Sequence, residues 1–199
     1  MTEATLSHRQ SPHPIDADIL SRWSPRAFDA SPLDERTMLT LFEAARWAPS
    51  AYNAQPWRFA YALRGDAHWD DFTASLLPAN AAWAPAASAL VFILSDRFLT
   101  LPGKDEPSPS ATASFDTGAA WALLALQATK LGLHTHAMAG IDHARAAAAI
   151  GADERFRIEA AVAIGRIGDP ANLSEMLQAR EVPSQRRPVT EIAFHGRVG

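Results

Sequence analysis

The chain has 199 residues, enough for one domain at about 150 residues per domain, and 48% of them are hydrophobic against 20% charged, which excludes a wholly disordered chain. It contains no cysteine, which excludes disulfides, thiolate metal sites, a cysteine nucleophile and cysteine-held iron–sulfur clusters. Eighteen basic against 22 acidic residues give a net charge of −4, without the basic surplus of a general nucleic-acid binder, and no apolar run reaches the roughly 18 residues of a membrane span, so neither partner is expected.

The opening MTEATLSHRQSPHP lacks the apolar centre of a signal peptide, and residues 1–13 read as a flexible leader to one domain over 14–199. A cytoplasmic location is expected. A short helix is predicted over Ile15–Ser21, preceded by Pro14 and with Asp16 and Asp18 in its first turn. RWSPRAFDASP follows as a loop. Ser31 and Asp34 have capping-box spacing, and Met38, Leu41, Phe42 and Ala45 recur at helical intervals, so a strong helix is predicted, ended by Pro49. After the loop PSAYNAQPW come a strand Arg58–Leu63, a helix marked by Trp69, Phe72, Leu76 and Leu77, and the apolar run Ser88–Leu94, which reads as a buried central strand. Residues 100–114 carry no periodicity, and a loop of that length in a compact domain is functional or mobile. Asp116 can cap a long helix running to Leu131 and stopped by Gly132. A strand Leu133–Met138, a helix Asp142–Ile150 and a strand Ile158–Ile164 follow, and residues 170–199 read as an arginine-rich arm. Strands separated by helices point to an α/β sandwich. Neither G-x-G-x-x-G after a strand nor G-x-x-x-x-G-K-[ST] is present, so a nucleotide-like cofactor would be held without a glycine-rich loop.

Two loops carry candidate chemistry. In Arg22-Trp23-Ser24-Pro25-Arg26-Ala27-Phe28, two arginines flank a serine, the donor set a phosphate wants; the same residues also make an ordinary solvated turn. In Pro49-Ser50-Ala51-Tyr52-Asn53-Ala54-Gln55-Pro56-Trp57, small residues and two amides can approach a planar ring, or simply satisfy a rigid connector.

Taken together, R-x-S-x-R-x-F, a helix and then A-P-S-x-x-N-x-Q-P-W resemble the FMN-dependent nitroreductase family. FDTGAAWALLALQATKLGLHTHAMAGID resembles that family's central helix, following strand and small-residue turn; AAVAIGRIGDP resembles its strand ending in a Gly/Pro turn, and SQRRPVTEI its C-terminal arginine motif. The resemblance runs in order from about Ile15 to Ile192. It implies an α+β sandwich with a central mixed, mainly antiparallel sheet flanked by helices, and a C-terminal arm reaching the partner subunit. It also implies a homodimer with FMN at the subunit interface.

By position, Arg22 and Arg186 match the arginines on the FMN phosphate, with Ser24 beside its ribityl–phosphate end, and Trp23 between them is counted among the cofactor-binding residues. Arg26 matches the basic residue at the ring's pyrimidine edge, where a fixed cation stabilises the charge that reduction adds. Pro49, Ser50, Ala51 and Asn53 match a loop that reaches the partner's flavin, reinforced by Gln55. Asn80 matches an amide at the ring's polar edge, and Ala139 and Gly140 match a turn whose backbone approaches flavin N5 and O4. Three positions depart from relatives: Ser184 stands where a Lys is common, Trp83 where some carry a second basic residue, and Ala139 where some carry an acid.

The implied activity is hydride transfer from NADH or NADPH through flavin N5 to a small electron-poor acceptor such as a nitroaromatic or quinone, by ping-pong kinetics. No side chain does covalent chemistry, and residues 100–114 form a lid. The alternatives are another flavin reaction on the same fold (a dehydrogenase, a dehalogenase or a flavin-fragmenting enzyme) or a non-catalytic flavin-binding protein. His134-x-His136 places two imidazoles on one strand face without enough further ligands, so no metal is expected. Trp47 and Trp57 flank the Asn-Gln loop and Trp121 is assigned to dimer contact.

Overall fold

The computed structural model describes residues 9–198; residues 1–8 of the expected leader and Gly199 lie outside them. The fold is organised by the apolar run found in the sequence. It forms β2 (Ala89–Asp96), all eight residues of which are buried. β2 pairs antiparallel with β1 (Trp57–Leu63) on one side and β6 (Phe156–Gly165) on the other, and β5 (His134–Met138) closes the far edge, giving the order β1-β2-β6-β5. Each of these pairings is antiparallel, so among the described residues the four-stranded sheet has no parallel component.

Strand alternation sorts the sheet into two apolar faces. Leu90, Phe92 and Leu94 share one with Met138, Ala161 and Ala163; Ala89, Val91 and Ile93 share the other with Val162 and Ile164. The first face is covered by α3 (Trp69–Ala74) and α6 (His143–Ile150), which supply Trp69, Phe72 and Ala146. The second is covered by α2 (Glu35–Ala45), through Met38, Leu41 and Ala45, and by α5 (Ala113–Lys130), through Ala120, Leu124 and Ala128. Full burial of each large side chain contributes about 1.5–3 kcal/mol, so this two-sided packing carries most of the stability.

Several boundaries shift for local reasons. The first helix, α1, is Ala17–Ser21, with Asp16 as its cap. The cap of α2 is Asp34, which accepts from the Thr37 N–H at 2.7 Å, so the Ser31 capping box does not form; Ser31 instead donates to Asp29. α5 begins at Ala113 after Thr112, so Asp116 lies in its first turn and is not the cap. The aperiodic stretch 100–114 is shorter than expected. β3 (Phe98–Leu99) pairs with β4 (Ser108–Pro109), leaving the hairpin tip at 100–107 and the short link 110–112 irregular. Between α3 and β2, α4 (Pro78–Ala81) is a single turn started by its proline. α6 is capped by Asp142, which accepts from the Arg145 N–H at 3.0 Å, and ends at Gly151 with φ 65°. Asp142→Ala is therefore expected to cost about 1 kcal/mol, measured as a drop in the denaturation midpoint at unchanged m-value.

After β6 the chain holds little regular structure beyond α7 (Glu175–Gln178), and its side chains are mostly exposed. No helix among the described residues is long and apolar enough to cross a membrane.

Candidate functional site: an arginine-lined cavity

α1 delivers Arg22 at its C-terminus, where the backbone turns extended. The loop it enters is tied to the end of β6: Phe28 bridges Ile167, Gly168 N–H donates to Ala27 O at 2.9 Å, and Asp29 N–H donates to Arg166 O at 3.1 Å. Gly168 is required there, because a Cβ would lie 2.4 Å from the backbone carbonyl of Phe28. The C-terminal segment then returns to the same loop. Arg22, Trp23, Ser24 and Arg26 from one end of the chain and Arg180, Val182, Ser184 and Arg186 from the other line one cavity of about 340 Å³, joined by Arg9 and His136.

The cavity's electrostatics are one-sided. Arg22 Nη1 donates to Ser24 Oγ at 3.3 Å, and Arg186 Nη1 donates to Ser184 Oγ at 3.0 Å. Arg9 Nε donates to Ser184 O at 3.0 Å and Nη1 to Arg22 O at 2.7 Å, clasping the two chain ends together. Among the described residues, no carboxylate forms an ion pair with Arg9, Arg22 or Arg186. Burial, and then repulsion from Arg186, pushes the Arg22 guanidinium below its ordinary pKa; Arg9 is pushed the same way by burial, Arg186 and Arg22. Collected like charges without a counter-ion form a site that an oxyanion would complete, through charge-assisted and bidentate hydrogen bonds. The indole Nε1 of Trp23, also on the cavity wall, is buried without a partner.

Sequence reasoning missed Arg9, an isolated arginine in a polar leader. It supplies a third charge where Ser184 replaces a common lysine. Glu181 was missed as well. Its side chain is 3% exposed; Oε1 accepts from the backbone N–H groups of Arg26 and Ala27 at 2.6 and 2.8 Å, and Oε2 lies 3.9 Å from Arg26 Nη1. Arg26 is therefore not a free cation.

The remaining predicted residues gather in two other places. Asn80 Nδ2 donates to Gly140 O at 2.9 Å, and Ile141 N–H donates to Ala139 O at 3.0 Å, so Asn80 fixes the Ala139–Gly140 turn. A Cβ on Gly140 would approach Asn80 Nδ2 to 2.7 Å. The Pro49–Gln55 loop lies elsewhere, and none of its residues lines the arginine cavity. It is closed by Gln55 N–H donating to Ser50 Oγ (3.0 Å) and Gln55 Nε2 donating to Asn53 O (3.2 Å). Asp116 tethers it, accepting from Ala51 N–H at 3.1 Å and from Thr112 Oγ1 at 3.0 Å. Tyr52, Asn53 and Gln55 hold φ of 53°, 54° and 48°, a left-handed backbone that costs non-glycine residues about 1–2 kcal/mol each. Tyr52 is 71% exposed at its tip.

Trp83, in the position expected of a second basic residue, is core. It stacks on Phe28 and sits 4.6 Å from the His136 ring. His136 Nδ1 meets Pro25 O at 2.9 Å. Burial lowers its pKa, opposed by that carbonyl and by Glu181. Among the described residues, no group of three His, Asp or Glu is placed to hold a metal. His134, on the same strand face, is buried with both ring nitrogens unpartnered; burial, aided by Arg22, takes its pKa down to about 4. Below pH 6.5 the unfolded chain takes up a proton that the folded chain refuses until about pH 4. Stability present above pH 6.5 is thus lost as pH falls through that window, by about 3 kcal/mol in all. Melting temperature against pH checks this: the fall from pH 6.5 to 4 is expected to be shallower in His134→Leu.

Comparison with known proteins places this geometry. Residues 19–80 and 67–166 match the model of the nitroreductase family. A Mycolicibacterium smegmatis protein, described as an uncharacterized 15.4 kDa protein in the ask 5'region, is 38% identical over 150 residues, covering 71% of this chain and 97% of its own. A solved structure described as an oxidoreductase containing FMN shares 46% identity at a TM-score of 0.93, covering 100% of this chain and 99% of that one. A putative nitroreductase from Desulfovibrio desulfuricans, solved in complex with FMN, shares 25% identity at a TM-score of 0.68 over 95% of this chain and 100% of its own. With the matched segments spanning the sheet, the helices on both its faces and the loop that carries Arg22 to Phe28, the chain belongs to the nitroreductase family of flavin oxidoreductases.

Proposed function

We propose that the arginine cavity holds the phosphate of FMN and that the chain is an NAD(P)H-dependent oxidoreductase acting on small electron-poor acceptors such as nitroaromatics or quinones. The observation that carries this reading is the convergence of Arg9, Arg22 and Arg186 without a carboxylate partner among the described residues. The donor set fits the group: guanidinium forks for a dianion, with the Ser24 and Ser184 hydroxyls beside them. When bound, FMN would supply the transfer of an electron pair as hydride from the nicotinamide to the acceptor. The protein's part is to hold and orient. Arg22 and Arg186 fix the phosphate, and Arg26, tempered by Glu181, meets the polar edge of the ring. The backbone of the Ala139–Gly140 turn, held in place by Asn80, would approach the ring.

The cavity of about 340 Å³ shares Arg9, Arg22, Ser184 and Arg186 with a neighbouring one of about 780 Å³, and no residue of the Pro49–Gln55 loop lines either, so that loop's expected share of the site is not made within one chain. A second copy would supply the rest, with the strained Pro49–Gln55 loop reaching across. The apolar surface around that loop supports this assembly: Trp47, Tyr52 and Leu39 are exposed, and Phe115 on α5 is 82% exposed. The hairpin tip within residues 100–114 is assigned as the lid over the acceptor, on the strength of its length and its turn at Gly103.

Absorption spectra of the purified protein, before and after anaerobic NADH and NADPH, test the reading. Yellow protein whose flavin band bleaches with one donor and returns on adding a quinone or nitroaromatic is the expected result. Protein that stays colourless after incubation with FMN would refute it.

A further inference from the structure

The C-terminal segment is anchored at several points: Leu173 and Leu177 pack against the core, Arg9 bonds Ser184 O, and Glu181 holds the stretch nearest Arg26. It has little regular structure after α7, and its flanking side chains are largely exposed. Glu181 is different. Its carboxylate is almost fully buried and accepts two backbone N–H groups from the opposite end of the chain. A single oxygen, Oε1, takes both bonds, and its partners are consecutive amides, Arg26 and Ala27. The second oxygen has no hydrogen-bond partner and faces the Arg26 guanidinium at 3.9 Å. Arg180, Val182, Ser184 and Arg186, the cavity residues contributed by this segment, all lie within five positions of Glu181.

We propose that Glu181 is a positioning residue with two separable roles: its Oε1 latches the C-terminal segment onto the Arg26–Ala27 backbone, so that Arg186 faces Arg22, and its charge offsets that of Arg26 beside the ligand. The latch stands on this geometry alone. The charge role rests on the FMN reading above. A cation beside the ring favours the reduced, more negative flavin, so a carboxylate paired with that cation holds the reduction potential lower than Arg26 alone would.

Two variants of the full chain separate the roles. Glu181→Gln keeps an amide oxygen that can accept both N–H bonds but removes the charge. Glu181→Ala removes both. Hydrogen exchange at the Arg26 and Ala27 amides reads the latch, in the presence or absence of cofactor. Protection is expected to persist in Glu181→Gln and to fall at least tenfold in Glu181→Ala, with at least a tenfold loss of FMN affinity in the alanine variant. The potential of bound flavin reads the charge. Glu181→Gln is expected to shift the reduced-to-oxidised equilibrium about tenfold toward reduced, about 30 mV for a two-electron couple. Adding Arg26→Gln to that variant is expected to reverse the shift, which a merely structural role would not do. Unchanged amide protection in Glu181→Ala overturns the latch, and an unmoved potential in FMN-loaded Glu181→Gln overturns the charge role. A wild-type chain that takes up no FMN overturns the flavin assignment and the charge role with it, while the exchange data still decide the latch.

Discussion

Replacing Arg22 and Arg186 together with alanine is expected to weaken FMN binding about a thousandfold while leaving the empty protein as stable as the wild type, or more so. The affinity loss follows from removing two charged donors, each contributing about 1.5–3 kcal/mol to a hydrogen bond with an anion. The stability expectation has the opposite sign to that of most buried-residue deletions. In the apoprotein these guanidinium groups repel one another: Arg22 is held below its ordinary pKa by burial and by Arg186, and among the described residues no carboxylate pairs with either. Deleting them removes repulsion as well as contacts. FMN titration by flavin fluorescence and thermal melting of the apoprotein measure the two halves separately. Full retention of FMN by the double variant would remove the phosphate assignment. A large fall in apoprotein melting temperature would mean that the arginines hold the fold together.

Gly168→Ala is expected to destabilise the protein by about 1–3 kcal/mol, the range for forcing an atom into packed surroundings. The new Cβ would lie 2.4 Å from the Phe28 carbonyl carbon and oxygen and 2.8 Å from the Asp29 nitrogen. These are backbone atoms, so no side chain can rotate away. Relief requires moving the loop that carries Arg22, Ser24 and Arg26. Stability and cofactor affinity should therefore fall together, with the denaturation midpoint and the FMN dissociation constant read on the same preparations. A melting curve matching the wild type would show that the loop moves freely away from β6.

How much was legible in the sequence depended on whether a feature is local. The run at Ser88–Leu94 is buried on both faces, so composition alone revealed a central strand, observed as Ala89–Asp96. Periodicity likewise revealed α2 through Met38, Leu41 and Ala45. Caps were less secure. Ser31 and Asp34 are both good cap residues, and only the packed geometry decides between them. Asp116 looked like a cap because it precedes an apolar stretch; its partners at Thr112 and Ala51 include one 65 positions away. The same limit applies to the site. Arg22 and Arg186 were found through motif resemblance, and the structure brings them to one cavity. Arg9 and Glu181 carried no local signal, because each acts on backbone groups distant in sequence, Arg22 and Ser184 for one and Arg26 and Ala27 for the other.

The guanidinium trio, without a carboxylate partner among the described residues, has a practical consequence. If the cavity takes the FMN phosphate as proposed, any small tetrahedral oxyanion in the buffer is expected to compete for it, stabilising the folded chain by mass action in proportion to the logarithm of its concentration. Apoprotein kept in phosphate or sulfate should melt higher, and take up added flavin more weakly, than the same protein kept in chloride at matched ionic strength. The choice of dialysis salt will then decide whether a preparation looks robust and cofactor-shy or fragile and avid.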